Sequence, residues 1–416
     1  MTAFAVAPGG PLTGRLSVPG DKSISHRVLM LAALADGTSE VTGLSDGDDV
    51  AHTLSIVEAL GAGVELRDGL VSITGGSLGA VDGPLYVGNS GTGIRLLAGM
   101  LAGLSFTSVL DGDESIRRRP MDRVVDPLRA MGADISGVDG STLAPLTIDG
   151  GGLHGTEYVS PMASAQVKGC VLFAGLSADG PTTVVESQPT RAHTEELMAA
   201  FGIDVKAGQG GVTVQPGRPV PFSHRVAGDP SQAAYWAVAA AVVAGSEVVV
   251  ENVYSGPVRT GFVDVLARMG ADIEHDADTG DLTVRASSLT GTVVEAAEVP
   301  GLVDEVPVLA VAAACADGET RFCGVGELRV KETDRLATTS SELGAMGARV
   351  RVEGDDLVVV GGPFHGAEVE SHGDHRIAMA CAVAALVADG PTVVSGWEAV
   401  DTSYPVFGHD LEGLRA

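Results

Sequence analysis

Five helical runs end in glycine at nearly constant intervals: Leu60-Gly61, Met131-Gly132, Phe201-Gly202, Met269-Gly270 and Met346-Gly347, 68 to 77 residues apart. A glycine after a helix supplies the left-handed backbone that ends it. Each run passes into an alternating strand, such as "GADIEHD" or "GARVRVE". Between them lie six Ala/Leu-rich runs that close at Gly37, Gly103, Gly180, Gly245, Gly318 and Gly390, four of them as Ala-Asp-Gly. A Val/Thr strand follows each, such as "SEVVVENV" or "PTTVVES". The unit is therefore about 70 residues of helix, strand, helix and strands, present six times, longer than the ~20–50 of common solenoids. Six α/β units of this size form two three-unit domains. The second-helix signal is missing after Gly390, so the last copy reads as truncated and completed by the N-terminus. One domain is then discontinuous.

Composition excludes several functions. Lys plus Arg is 26 against 54 for Asp plus Glu, a net charge of −28 whose field repels nucleic acids and anionic membranes. Aromatic residues at 4% leave little for stacking on bases. The longest apolar stretch, 233–250, is Ala-rich and broken by Ser246 and Glu247, so it reads as a buried helix and then a strand. The N-terminus lacks the cationic flank of a signal peptide. The four cysteines, Cys170, Cys315, Cys323 and Cys381, show no CxxC spacing and read as buried thiols of a cytoplasmic protein. Only four lysines occur, Lys22, Lys168, Lys206 and Lys331, which draws attention to any that sits in a distinctive motif.

Unusual polar residues gather at one equivalent place, just before each Ala/Leu-rich helix. These segments are Gly20-Asp21-Lys22-Ser23, 88–93, 160–166, Asp229-Pro230-Ser231, Asp304-Glu305 and Gly373-Asp374-His375-Arg376. Helix N-termini present unpaired N–H groups and favour anions. Capping alone accounts for Asp229-Pro230. It does not account for Lys22, Arg95 and Arg376, cations where cations are disfavoured; they suit an anionic ligand. The six N-termini are expected to converge on one cleft. On a helix Ser23 and Arg27 share a face beside Lys22, a constellation of phosphate size. It is not a Walker A loop, because five residues separate Gly14 from Gly20 and Asp21 precedes Lys22. Gly91-Thr92-Gly93 is not a dinucleotide fingerprint, since Leu96 stands where the third glycine belongs.

Basic clusters recur before the second helices, at Arg117-Arg118-Arg119, Arg191 and 329–335. Glu332 beside Lys331, with Asp304-Glu305, supplies carboxylates able to act as acid and base. No histidine pair has metal-ligand spacing, so no metal is expected.

Taken in order, "PGDKSISHR" (19–27), "GNSGTGIR" (88–95), "RRRPMDR" (117–123), "SPMASAQVKG" (160–169), "RAHTEELM" (191–198), "ELRVKETDRL" (327–336) and "GDHRIAMA" (373–380) resemble the motifs of the 5-enolpyruvylshikimate-3-phosphate synthases. The resemblance covers nearly the whole chain. "SAQVK" and "RAHTE" look like the class II branch, often less sensitive to glyphosate. It implies two inverse α/β domains built from six βαβαββ-type repeats, residues 18–226 and 1–17 plus 227–416, that close on substrate.

The resemblance also implies the reaction: shikimate 3-phosphate and phosphoenolpyruvate give the 5-enolpyruvyl product and phosphate, without cofactor. By motif match, Lys22, Ser23, Arg27, Ser164, Ala165, Gln166, Arg191, Asp304 and Lys331 hold shikimate 3-phosphate. Lys22, Gly91, Arg119, Gln166, Arg335 and Arg376 hold phosphoenolpyruvate. Asp304 is the implied base and Glu332 the proton donor, with Lys22 assisting. No nucleic-acid or membrane partner is expected, and a monomer is. Three positions depart from the class I pattern: Glu327 for Asn, Leu96 for Pro, and Tyr404, expected at a partly solvated lip, for a Lys. The related UDP-N-acetylglucosamine enolpyruvyl transferases carry a loop Cys where Glu114 stands. A different class is a non-catalytic anion-binding repeat protein.

Overall fold

The computed structural model describes residues 2–208, 210–256 and 258–415. Its strands form where side chains alternate. In Glu247–Glu251 Val248 and Val250 are buried while Glu247 lies exposed, the period of two that a half-buried strand requires. The segment 233–250 divides as its breaks suggest, into the Pro230–Val242 helix and this strand.

The repeats that keep their own four strands each build one small sheet in the spatial order first, second, fourth, third. Leu85–Tyr86 runs parallel to Thr107–Asp111, which pairs antiparallel with Leu146–Asp149 and, beyond it, Asp134–Ser136. A parallel pair needs a crossover, and the Gly91–Ala102 helix supplies it. Among the described residues five sheets have four strands. A sixth has three, Glu368–Glu370, Thr392–Ser395 and the N-terminal Ala3–Val6. The described residues thus form a mixed α/β protein of six related sheets. The last copy is less truncated than its glycines suggest: Phe407–Arg415 is a helix without a glycine stop.

The chain divides into two compact units, Met1–Pro19 with Ala227–Ala416, and Gly20–Val226. Two strands mark the crossings. Thr13–Ser17 precedes the Lys22–Leu34 helix but pairs with Glu247–Glu251, and Ser223–Arg225 precedes the Pro230–Val242 helix but pairs with Thr38–Thr42.

The glycines behave in two ways. The five that follow second helices all have φ between +88° and +108°, the left-handed stop expected. Among the other six, Gly37, Gly245 and Gly318 have positive φ, whereas Gly103, Gly180 and Gly390 do not. The Ala165–Gly175 helix ends well before Gly180, so Ala-Asp-Gly is a turn there and not a direct helix stop.

Within each unit the three Ala-rich helices lie inside. Every residue from Pro230 to Ala241 is buried, as in a helix apolar on all sides. This helix packs with Val306–Cys315 and His375–Ala385 in one unit, and Gly91–Ala102 packs with Lys22–Leu34 and Ala165–Gly175 in the other. Small residues permit the approach: a Cβ on Gly99 would lie 2.0 Å from the Cys170 carbonyl oxygen. Among the described residues no helix is long and apolar enough to cross a membrane.

Candidate active site

In Gly20–Val226 the first turns of the three inner helices meet. Asp21 caps the first, accepting from the Ile24 amide at 2.9 Å; Ser90 and Ser164 cap the others through the Gly93 and Val167 amides. These caps leave Lys22, Gly91 and Ala165 as the opening residues of their helices. Lys22 Nζ donates to Asp49 Oδ2 at 3.0 Å. Arg27 is 1% exposed and donates to Ser23, one turn back, through both the carbonyl oxygen (2.8 Å) and Oγ (3.0 Å). Its other nitrogens reach Thr194 Oγ1 at 2.6 Å and the Ala165 carbonyl at 3.4 Å. Gln166 bridges to the remaining helix, accepting from Arg95 at 2.5 Å and donating to Thr92 at 3.0 Å. Lys22, Ser23, Arg27, Ser164, Ala165 and Gln166 are thus one cluster, with Arg191 half-buried in the loop just before Thr194.

The arginine triplet separates by environment. Arg117 donates to both oxygens of Asp111, at 2.9 and 2.5 Å, and this bond holds the Asp111 carboxyl below its ordinary range. Arg118 pairs at the surface with Glu114. Arg119 turns to Asn89 Oδ1 at 2.6 Å, over Gly91, where an added Cβ would stand 2.7 Å from its Nη1. A side chain at Gly91 would displace that guanidinium.

His26 ties this arrangement together. It is buried, with Nδ1 2.7 Å from Thr53 Oγ1 and Nε2 3.2 Å from the Ser90 hydroxyl. Burial first, and then the charges of Lys22 and Arg27, push its pKa well below the ordinary value. A neutral imidazole links the Lys22 helix to the cap of the Gly91 helix.

The other unit assembles a cluster of different character. Asp374 caps the His375–Ala385 helix through the Arg376 amide at 2.9 Å and accepts from Arg335 Nε at 2.7 Å. Arg335, 1% exposed, also donates to Asp304 Oδ1 at 3.3 Å and bonds Glu332. Burial works against its charge, but Asp374, Glu332 and Asp304 raise its pKa above the ordinary guanidinium value. Lys331 Nζ lies 3.6 Å from Asp304 and 3.1 Å from Glu327. Arg376 donates to the Asp304 carbonyl at 3.1 Å. Asp304, Lys331, Glu332, Arg335 and Arg376 therefore come together.

The neighbouring acid Glu305 goes elsewhere. Fully buried, it bonds Ser231 and lies 3.4 Å from Arg259, which also pairs with Asp229. Asp229 does cap its helix, as its Asp-Pro sequence suggests, and in addition anchors Arg259. Sequence reasoning passed over Arg259, Asp49, Thr194 and His26. An arginine in a chain this acidic was a signal for the first; Asp49 lies in the acidic run 46–49, and Thr194 and His26 lie inside the motifs 191–198 and 19–27, but nothing local gave these three a partner.

Tyr404 contradicts the sequence expectation. It is fully buried and not at a solvated lip. Its ring packs edge-on to Trp236 and Phe407, its hydroxyl donates to Asp410 at 2.7 Å, and it accepts from the Trp236 indole at 3.1 Å. The phenol is a core residue, fixed by aromatic neighbours that the motif comparison did not weigh. Cys170 and Cys381 are buried, and burial pushes both thiols up; Cys315 and Cys323 are half-buried, against the expectation for all four. Among the described residues no group of three or more His, Cys, Asp or Glu is placed to hold a metal ion.

Six repeated α/β units, with cations set at the N-termini of buried helices, define the class of repeat proteins equipped to hold small, multiply charged anions. The profile of one such family, described as EPSP synthase (3-phosphoshikimate 1-carboxyvinyltransferase), matches residues 6–411, and the chain belongs to that family. It is 47% identical over 411 residues to the 3-phosphoshikimate 1-carboxyvinyltransferase of Herpetosiphon aurantiacus, covering 95% of each chain. It is 48% identical over 419 residues to that of Nitrosococcus oceani, covering 97% of this chain and 94% of the relative. Among solved structures, an EPSP synthase from Acinetobacter baumannii superposes with a TM-score of 0.88 at 41% identity, covering 99% of this chain and 98% of the other.

Proposed function

We propose that this chain transfers the enolpyruvyl group of phosphoenolpyruvate to the 5-hydroxyl of shikimate 3-phosphate and releases phosphate. The observation that carries the reading is the pairing of two clusters within one chain of this family. One is rich in cations, hydroxyls and helix N-termini; the other sets carboxylates beside cations. Two multiply charged anions repel each other, and cations and N–H groups held by the fold offset that repulsion.

Ser23, Arg27, Ser164, Ala165, Gln166 and Arg191, with Lys22, Asp304 and Lys331, hold shikimate 3-phosphate. Lys22, Gly91, Arg119, Gln166, Arg335 and Arg376 hold phosphoenolpyruvate. Asp304, beside Lys331 and Arg335, takes the proton of the 5-hydroxyl as its oxygen bonds to C2 of the enol. Glu332 delivers a proton to C3, with Lys22 assisting. The tetrahedral intermediate then returns a proton from C3 to Glu332 and expels phosphate from C2, restoring the double bond, and the proton taken from the 5-hydroxyl leaves with the phosphate. The contact between Glu332 and Arg335 fits this sequence. An anion arriving at Arg335 competes with Glu332 for that guanidinium, so substrate binding bears directly on the proton donor.

A coupled phosphate-release assay tests the reading. Phosphate should appear when both substrates are present and in neither single-substrate control. UDP-N-acetylglucosamine in place of shikimate 3-phosphate should give none. Release with the nucleotide sugar, or no release with shikimate 3-phosphate, contradicts the assignment.

A further inference from the structure

Lys168 is one of four lysines in the chain and is 2% exposed, yet it has no part in the reaction above. Its ammonium is held at three points: Glu195 Oε1 at 2.7 Å, Glu186 Oε2 at 2.9 Å and the Thr190 carbonyl at 3.4 Å. Thr190 returns a bond to Glu186 Oε1 at 2.5 Å. Both carboxylates are nearly as buried as the lysine, with side-chain exposures of 9% and 7%. Burying one ammonium between two carboxylates is costly, and hydrophobic residues would fill the same space with less penalty. Such a cluster is therefore better understood by what it fixes.

It fixes a loop. Glu186 directly follows the Thr182–Val185 strand, and Glu195 lies in the first turn of the His193–Ala200 helix. The segment between them carries Arg191 and leads to Thr194, the acceptor for Arg27. Lys168 sits one turn beyond Ser164 and donates its amide to the Ser164 carbonyl at 3.0 Å. The next residue, Gly169, comes so close to the same groups that a Cβ there would lie 2.9 Å from Thr194 Oγ1 and 3.1 Å from Arg27 Nη2. One ammonium thus joins the helix that begins Ser164-Ala165-Gln166 to the loop that bears Arg191.

We propose that Lys168 is a positioning residue for shikimate 3-phosphate: its clamp on Glu186, Thr190 and Glu195 sets Arg191 and Thr194 against the Ser164 helix, so that Arg27, Ser164 and Arg191 meet one phosphate. The inference rests on the transferase reading given above. It separates Lys168 from Lys22, which touches substrate in that reading.

The test compares wild type with Lys168→Met and Lys168→Arg. The measurements are binding of shikimate 3-phosphate by calorimetry without phosphoenolpyruvate, then steady-state kinetics, with thermal melting as the control. Lys168→Met should raise Kd and KM for shikimate 3-phosphate at least ~10-fold, the scale of one charge-assisted contact. KM for phosphoenolpyruvate and kcat should stay within about threefold, and Lys168→Arg should recover part of the loss. Because Lys168→Met leaves two buried carboxylates facing each other, Lys168→Met with Glu186→Gln and Glu195→Gln removes the charges together. Glu186→Gln alone should shift the same Kd by a smaller factor. An unchanged Kd in a folded variant overturns the proposal. So does a fall in kcat and in both affinities that merely follows the folded fraction. Wild type that binds shikimate 3-phosphate but releases no phosphate overturns the transferase reading and leaves the positioning of Lys168 standing. Wild type that does not bind it overturns both.

Discussion

Arg27 and Arg335, the most buried guanidinium groups of the two clusters, meet different kinds of partner. In Gly20–Val226, Arg27 lies among hydroxyl and carbonyl oxygens of Ser23, Thr194 and Ala165, and Arg95 and Arg119 meet amide oxygens of Gln166 and Asn89. These oxygens fix the direction in which each guanidinium points. In the other unit Arg335 faces Asp304, Glu332 and Asp374. There the charge is balanced within the protein, and any incoming anion must exchange with a carboxylate. In the transferase reading proposed above, the first cluster serves mainly to grip shikimate 3-phosphate, while the second supplies the proton-transfer carboxylates beside its cations.

The largest expected effect follows from the grip. Shikimate lacks the 3-phosphate, and each charge-assisted bond forfeited is worth ~1.5–3 kcal/mol. With three such bonds lost, kcat/KM for shikimate should fall at least ~10³-fold below that for its phosphate. Comparable values would remove the phosphate-gripping role from the first cluster.

A smaller effect tests whether the second cluster lacks a cation at Tyr404. A lysine there would replace a ring packed on Trp236 and Phe407, and the lost packing should lower stability by ~2–4 kcal/mol in chemical denaturation. KM for phosphoenolpyruvate should not improve. A tighter KM with stability intact would place position 404 at the anion site after all.

The smallest effect concerns His26. The native state holds it neutral, while the unfolded chain protonates it near the ordinary value of about 6.5. The unfolded state then binds more protons, so stability is full above that value and is lost as pH falls below it. The contribution approaches ~1.4 kcal/mol per pH unit. His26→Gln keeps groups able to bond Thr53 and Ser90 and should flatten the stability profile between about pH 6.5 and 5 by up to that slope. An equal slope in both proteins would show that the imidazole is not the buried neutral link described.

What the sequence disclosed and what it withheld have separate physical origins. Five of the six segments before the inner helices were legible because capping is local: Asp21, Ser90, Ser164, Asp229 and Asp374 each bond an amide within three residues, whereas Glu305 makes no cap. The left-handed stops were equally local. Partners far along the chain were not legible. Lys22 with Asp49, Arg27 with Thr194, and Arg259 with Glu305 depend on which helices pack together. Tyr404 shows the same limit. Its place in a motif pointed to an anion, whereas Trp236, 168 positions away, holds it in the core. Within the arginine triplet, nothing local distinguished Arg119 from Arg117, whose partner Asp111 ends the preceding strand.

The division between gripping and proton transfer is tested most directly by measuring kcat and KM for shikimate 3-phosphate in Ser23→Ala and Glu332→Gln, both checked for native stability. Ser23→Ala should raise KM several-fold and leave kcat within about threefold, as loss of a bond made equally in ground and transition states requires. Glu332→Gln should lower kcat at least ~100-fold, the scale of one acid–base group, with KM little changed. The reverse pattern, or the same fall in kcat from both variants, would contradict the division.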